Sequence, residues 1–126
     1  MKQIGAVVVV YATAAAVAAA ATAAAVQVTV RANHTPKVNK PWPVSVMVSQ
    51  GGKPVAATLT MQILFSGTPV GKVDNGRLYH FVGTWQEKTG HQITFPPASR
   101  GEPLTVQFIV KAAGQTLRKN WPIKAQ

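Results

Sequence analysis

The feature that most limits what this chain can become is a run of 23 uncharged residues, Ile4 to Val26, of which 12 are alanine. Lys2 precedes the run, and Arg31, Lys37 and Lys40 follow it. Two readings fit. A cleaved export signal needs a basic start, an apolar stretch and a small-x-small cut site. Lys2, Ile4 to Val17 and Ala23-Ala24-Ala25 supply these in order. A retained transmembrane helix is the other reading. Ile4 to Ala25 is 22 residues, about 33 Å of helix against a hydrocarbon core of about 30 Å. An ordinary signal core is only about 7–15 residues long, so the length favours retention. Either way the remainder of the chain is expected outside the cytoplasm, and the chain divides into a span or signal at 1–25 and a domain at 26–126.

Alanine is a poor lipid-facing side chain, but it lets helix backbones approach closely, and small residues at four-residue spacing mark helix interfaces in membranes. Ala12, Ala16 and Ala20 form one such row, and Ala15, Ala19 and Ala23 another. A retained helix is therefore expected to pack against other transmembrane subunits. Positive flanks usually stay cytoplasmic, and here the C-terminal flank is the more basic one. Export nevertheless leaves the N-terminus inside and the domain outside, as a single-pass protein of the cell membrane. The basic flank, Arg31, Lys37 and Lys40 with Trp42, is then expected to contact anionic headgroups or an acidic protein surface.

About 100 residues follow the run, enough for one ordinary domain. Without Lys2 the chain has 12 basic and 3 acidic residues, a net charge of +9, and the acids are Asp74, Glu87 and Glu102. Such a surface suits polyanions. The basic residues are scattered, however, and no nucleic-acid motif accompanies them, so nucleic acid is not an expected partner. There is no cysteine, hence no disulfide and no thiolate metal site. The fold must rest on its apolar core.

Beyond Val26 the apolar residues alternate at period two, which places them on one face of a strand. Val26, Val28 and Val30 form the first stripe, and Val44, Val46 and Val48 the second. Leu59, Met61, Ile63 and Phe65 follow, then Leu78 to Val82, Ile93 with Phe95, Leu104 to Val110, and Leu117, Trp121 and Ile123. Gly51-Gly52, Gly67 with Pro69, Pro96-Pro97 and Ala113-Gly114 separate these runs. Asp74-Asn75-Gly76 predicts a hairpin, because Asn and Gly tolerate positive φ. Pro43 before the second stripe predicts an edge or bulged strand. About seven short strands in this length predict an all-β, immunoglobulin-like antiparallel sandwich.

The stretch from His34 through Pro36, Lys40-Pro41-Trp42-Pro43 and Val44 to Val46, followed by Gly52-Lys53-Pro54-Val55, resembles the opening of YtkA-like domains. These are small exported or membrane-anchored bacterial sandwiches, often with a single N-terminal helix. The resemblance implies a sandwich fold and an extracytoplasmic place. Some relatives are linked to copper handling or to oxidase assembly. This chain lacks their methionine- or histidine-rich segment, so metal binding is not implied.

Candidate chemistry is sparse. His34, His80 and His91 are the only histidines; three imidazoles could hold Cu or Zn if they converged, with Met47 and Met61 as possible thioether ligands. No two histidines have local ligand spacing, and Met61 lies on a core stripe. The three acids are scattered, which argues against a paired-carboxylate mechanism. Ser66 and Ser99 lack a nucleophile-elbow pattern. No catalytic residue and no cofactor is expected. Trp42, Trp85 and Trp121 are expected in the core, with a partner site as the alternative for Trp42 or Trp85. The sequence thus predicts a non-enzymatic, membrane-anchored accessory subunit. An exported binding module, such as a copper carrier, and a cell-wall-binding domain are the alternatives.

Overall fold

The structure is a computed structural model and describes residues 24–87 and 93–126. Among these residues there are nine strands: β1 (Val26–Ala32), β2 (Val44–Gln50), β3 (Lys53–Pro54), β4 (Ala56–Phe65), β5 (Thr68–Lys72), β6 (Tyr79–Val82), β7 (Thr84–Gln86), β8 (Pro103–Ala112) and β9 (Gln115–Lys124). They form two antiparallel sheets stacked as a β-sandwich. In the first, β2 is central, with β1 on one side and β3 and β7 on the other. In the second the order is β5-β4-β8-β9, and β6 shares the β5 side of β4. No helix among the described residues is long and apolar enough to cross a membrane. The expected span, with its alanine rows, lies almost wholly in residues 1–23, outside the described residues.

Period-two patterning built this core as expected. Val26, Val28, Val44, Val46 and Val48 from the first sheet face Leu59, Met61, Val106, Phe108 and Val110 from the second, all buried. Removing a Val, Leu or Phe side chain fully from water contributes about 1.5–3 kcal/mol, so this double stripe supplies the main driving force. Met61 packs here, in the ordinary core role of methionine, whereas Met47 faces out from β2 and is exposed.

Four expectations are corrected. Pro43 does not mark an edge: it precedes β2, which is paired on both sides. Ile93 and Phe95 are buried but form no strand. Their carbonyls accept from the backbone N–H groups of Trp42 and Asn39, at 2.8 Å each, so this short apolar alternation docks on a loop instead of a ladder. Asp74, Asn75 and Gly76 do take positive φ (51°, 56° and 74°), yet they make a tight left-handed turn and not a hairpin. The turn carries the chain from β5 to β6, which both lie along β4 and do not pair with each other. The true hairpin joins β4 to β5 through Ser66 and Gly67, with φ of 51° and 81°.

The fourth correction concerns the end of β4. Phe65, expected inside, is 42% exposed, and Leu64, expected outside, is buried apart from the main core cluster. The β4–β5 pairing shifts between Ile63 and Leu64, with Val70 left without a partner. Such a bulge bends and twists a strand locally. Alternation predicts a face only while the opposite sheet continues, and Phe65 stands at the hairpin tip.

Candidate interaction surfaces

The two ends of the sandwich differ in construction. At one end the N-terminal segment enters. The side chain of Gln50 donates from Nε2 to the Ala24 carbonyl at 3.0 Å, and pairing of β1 with β2 begins at Val26. The Val26 N–H points at Oε1 of Gln115, 3.4 Å away, on the opposite sheet. This entry end is finished by short turns: Gly51-Gly52, Gly83, and Ala113-Gly114. Val82 stands beside them and is 68% exposed, the most open large apolar side chain among the described residues. An open groove of about 720 Å³ runs over this end, lined by Ala56, Thr58, His80, Val82, Lys111 and Thr116, among others.

The far end is stitched shut by long connections. Val38 donates to the Gln126 carbonyl, Gln126 to Pro36, Lys124 to His34 and Gly101 to Ala125, all at 2.8–2.9 Å. Trp42 is fully buried beneath this weave, edge-on to Phe95 at 5.5 Å between ring centroids. One carbonyl, that of Asn33, receives two indole N–H groups, from Trp42 at 3.0 Å and Trp121 at 3.3 Å. His34 stacks on Trp121, 4.3 Å between centroids, and its Nδ1 lies 2.6 Å from the Pro122 carbonyl. A carbonyl only accepts, so Nδ1 carries the proton.

The residues expected to contact headgroups or a partner, Arg31, Lys37, Lys40 and Trp42, fall at or near this far end. Trp42 has no exposed surface to offer. Lys37 and Lys40 are exposed, but they belong to the far end, past the end of β1. A strand rises about 3.3 Å per residue, so the six steps from Val26 to Ala32 carry the chain about 20 Å from the entry point. Arg31, opposite Ser45, travels nearly as far and lines a small cleft with Glu87. Residues close to Val26 in sequence are thus distant from it in space. Of the three tryptophans, Trp42 and Trp85 are core residues, and Trp121 is only partly buried.

The two described histidines, His34 and His80, do not converge. His34 contacts Pro122, whose β8 partner is Thr105, whereas His80 pairs with Thr58, whose β8 partner is Lys111. Those β8 positions lie six residues apart, about 20 Å along the strand, far beyond any shared ion. His91 lies outside the described residues. Among the described residues no group of three or more His, Asp or Glu is placed to hold a metal.

One polar cluster was not legible in the sequence. Tyr79 sits on β6 between the sheets, tilted against Trp85 with ring centroids 4.7 Å apart, and its hydroxyl donates to Oδ2 of Asp74. The Arg77 guanidinium lies 6.0 Å from the centre of the Tyr79 ring. Burial, then the Asp74 hydrogen bond and charge, hold the phenol well above its usual range; Glu87 adds to this and Arg77 opposes it. Two of the three acids therefore act on one tyrosine, although 13 positions separate them in the chain. Burial also lifts Glu87 from 4.5 to about 7, outweighing the Ile93 N–H that donates to its Oε1 and favours the anion. A cleft of about 340 Å³ opens beside the cluster, with Arg77, Tyr79, Phe81, Trp85 and Gln86 among its walls. A neutral phenol bonded to a carboxylate is a clasp, and it ties the 73–76 turn to β6. On the outer face of the second sheet, Gln62, Gln107 and Asn120 form a hydrogen-bonded row across β4, β8 and β9, at 2.7 and 3.0 Å.

No protein-family model matches the chain, and no curated protein matches it.

Proposed function

We propose that this chain is an exported, membrane-anchored accessory subunit without catalytic activity of its own. In this reading Ile4 to Ala25 stays in the membrane as a single span with the domain outside, and the alanine rows at 12, 16, 20 and 15, 19, 23 pack against other transmembrane subunits. The supporting observation is the absence of slack between run and domain. The Ala24 carbonyl is already bonded to Gln50, and the first strand starts two residues later. A retained span would therefore hold the sandwich directly at the membrane surface, with the stitched far end directed outward. There Arg31, Lys37 and Lys40 would meet an acidic face of a partner protein.

The sandwich itself is proposed to be immunoglobulin-like. The order β1-β2-β7 facing β4-β8-β9 reproduces the A-B-E and C-F-G arrangement of that fold, without its disulfide. This order and the Gly-Lys-Pro turn also accord with the resemblance to YtkA-like domains. The test is the intact mass of the native protein in membrane and soluble fractions. A mass near 13.3 kDa in the membrane fraction is expected. A soluble chain beginning at Val26 would overturn the subunit reading.

A further inference from the structure

We propose that the entry end of the sandwich, with Lys53, Val82 and Lys111 at its rim, rests on the anionic headgroups of the bilayer. The inference builds on the anchored reading above and assigns the surface that touches lipid. Four observations converge on it. The proposed span ends at Ala25, and Ala24 is fastened to this end through Gln50, so the bilayer surface and these turns meet without a linker. The turn residues Gly51, Gly52 and Gly114 are exposed and carry no side chain to hold the backbone away. Val82 projects among them at 68% exposure. Charge is the fourth observation. All three acids of the chain lie elsewhere: Asp74 is clasped to Tyr79, Glu87 bonds the start of β2, and Glu102 bonds Ser99 at the far end. Lys53 and Lys111 are both exposed at this end.

Distance decides between the two sets of lysines. The attraction of an anionic surface fades within a Debye length, about 8 Å at physiological salt. Lys53 pairs with Gln50, beside the entry point, and Lys111 lies four residues from Gln115. Lys37 and Lys40 lie beyond the far end of β1, about 20 Å away along the strand. An upright sandwich therefore brings the first pair to the headgroups and leaves the second in solution.

The chain has no cysteine, so single labels can be placed cleanly on the full-length protein. Val82→Cys and Lys40→Cys variants carry an environment-sensitive dye and are reconstituted into nanodiscs with headgroup-nitroxide lipid, either one-third phosphatidylglycerol or neutral phosphatidylcholine. In the anionic discs most of the emission is expected to be lost at position 82 and none at position 40. The double variant Lys53→Glu with Lys111→Glu is expected to recover part of the emission at position 82, as neutral discs would, because the span alone still holds this end near the bilayer. Failure of the full chain to enter discs at all would sink the anchored reading itself. A chain that inserts but shows no quenching at position 82, or equal quenching at 40, would overturn this inference alone; a protein subunit seated on this end, or a sandwich lying flat, gives that result. Equal quenching in neutral discs, insensitive to the lysine changes, would overturn the headgroup assignment.

Discussion

The two ends of this sandwich are built from the same strands by opposite means. At the far end, connections of ten residues or more fold back over the core and bond to one another, sealing Trp42 beneath them. At the entry end, the strands are joined by turns of one or two residues that cover nothing. A short turn satisfies its own backbone and leaves a bare surface, whereas a long connection must find partners for many N–H and C=O groups. The far end is thereby the place where stability is stored, and the entry end is the place where something else can touch the molecule.

The largest effect is expected at the sealed end. Trp42→Ala should cost about 3–5 kcal/mol in urea unfolding of the full chain in mild detergent. Trp121→Ala, at the partly buried ring over His34, should cost only about 1–2 kcal/mol. Equal losses would mean that the weave does not seal a separate core. At the entry end, the backbone conformation of the turns is the feature to test. Gly83→Ala forces a side chain into φ of +77° and within 3.0 Å of Pro54, and about 2 kcal/mol is expected. Gly52→Ala, at φ of +78° with open space around it, should cost about 1 kcal/mol. If the two behave alike, the contact of the β6–β7 turn with Pro54 is not a real constraint.

Glu87 sharpens the comparison through pH. Its folded value of about 7 lies above its ordinary 4.5, so the folded state holds a proton that the unfolded state has released. Its contribution is complete below about pH 4.5 and is lost as pH rises through 7, amounting to about 1 kcal/mol once solvent screening is discounted. Glu87→Gln should flatten stability between pH 5 and pH 8, measured by paired urea titrations, and raise it at pH 8. An unchanged slope would place the pH dependence elsewhere. The smallest effect belongs to the exposed lysines of the entry end. Lys53→Glu and Lys111→Glu should each leave stability within about 0.5 kcal/mol, and a larger loss would show that they serve the fold and not a contact.

Much of this fold is readable from alternation. The stripes Val44-Val46-Val48 and Val106-Phe108-Val110 fall on the core face as expected, because an apolar residue at every second position can be buried in only one way. Reading fails where the partner of a segment lies far away in the chain. Ile93 and Phe95 look like a strand, but only the folded loop at 39–42 decides that their carbonyls are taken there. Thr68 to Lys72 is wholly exposed and carries no stripe, so β5 exists only because β4 offers it an edge. The interaction surfaces were less legible still. Arg31, Lys37 and Lys40 follow the uncharged run directly in sequence, and the sequence offers no measure of how far an extended strand will carry them.

The amino-acid order by itself determined the uncharged run, the absence of cysteine, the excess of basic over acidic residues and the period-two burial that forces a two-layer β architecture. These are local or summed properties, and they survive any rearrangement of the strands. The tertiary structure alone decided that Asp74 and Glu87 act on Tyr79, that Trp42 is sealed, that His34 and His80 stand about 20 Å apart, and that Lys53, Val82 and Lys111 neighbour the entry of the chain. The reason is that sheet pairing joins residues many positions apart, and each strand carries its sequence neighbours to the opposite end of the molecule.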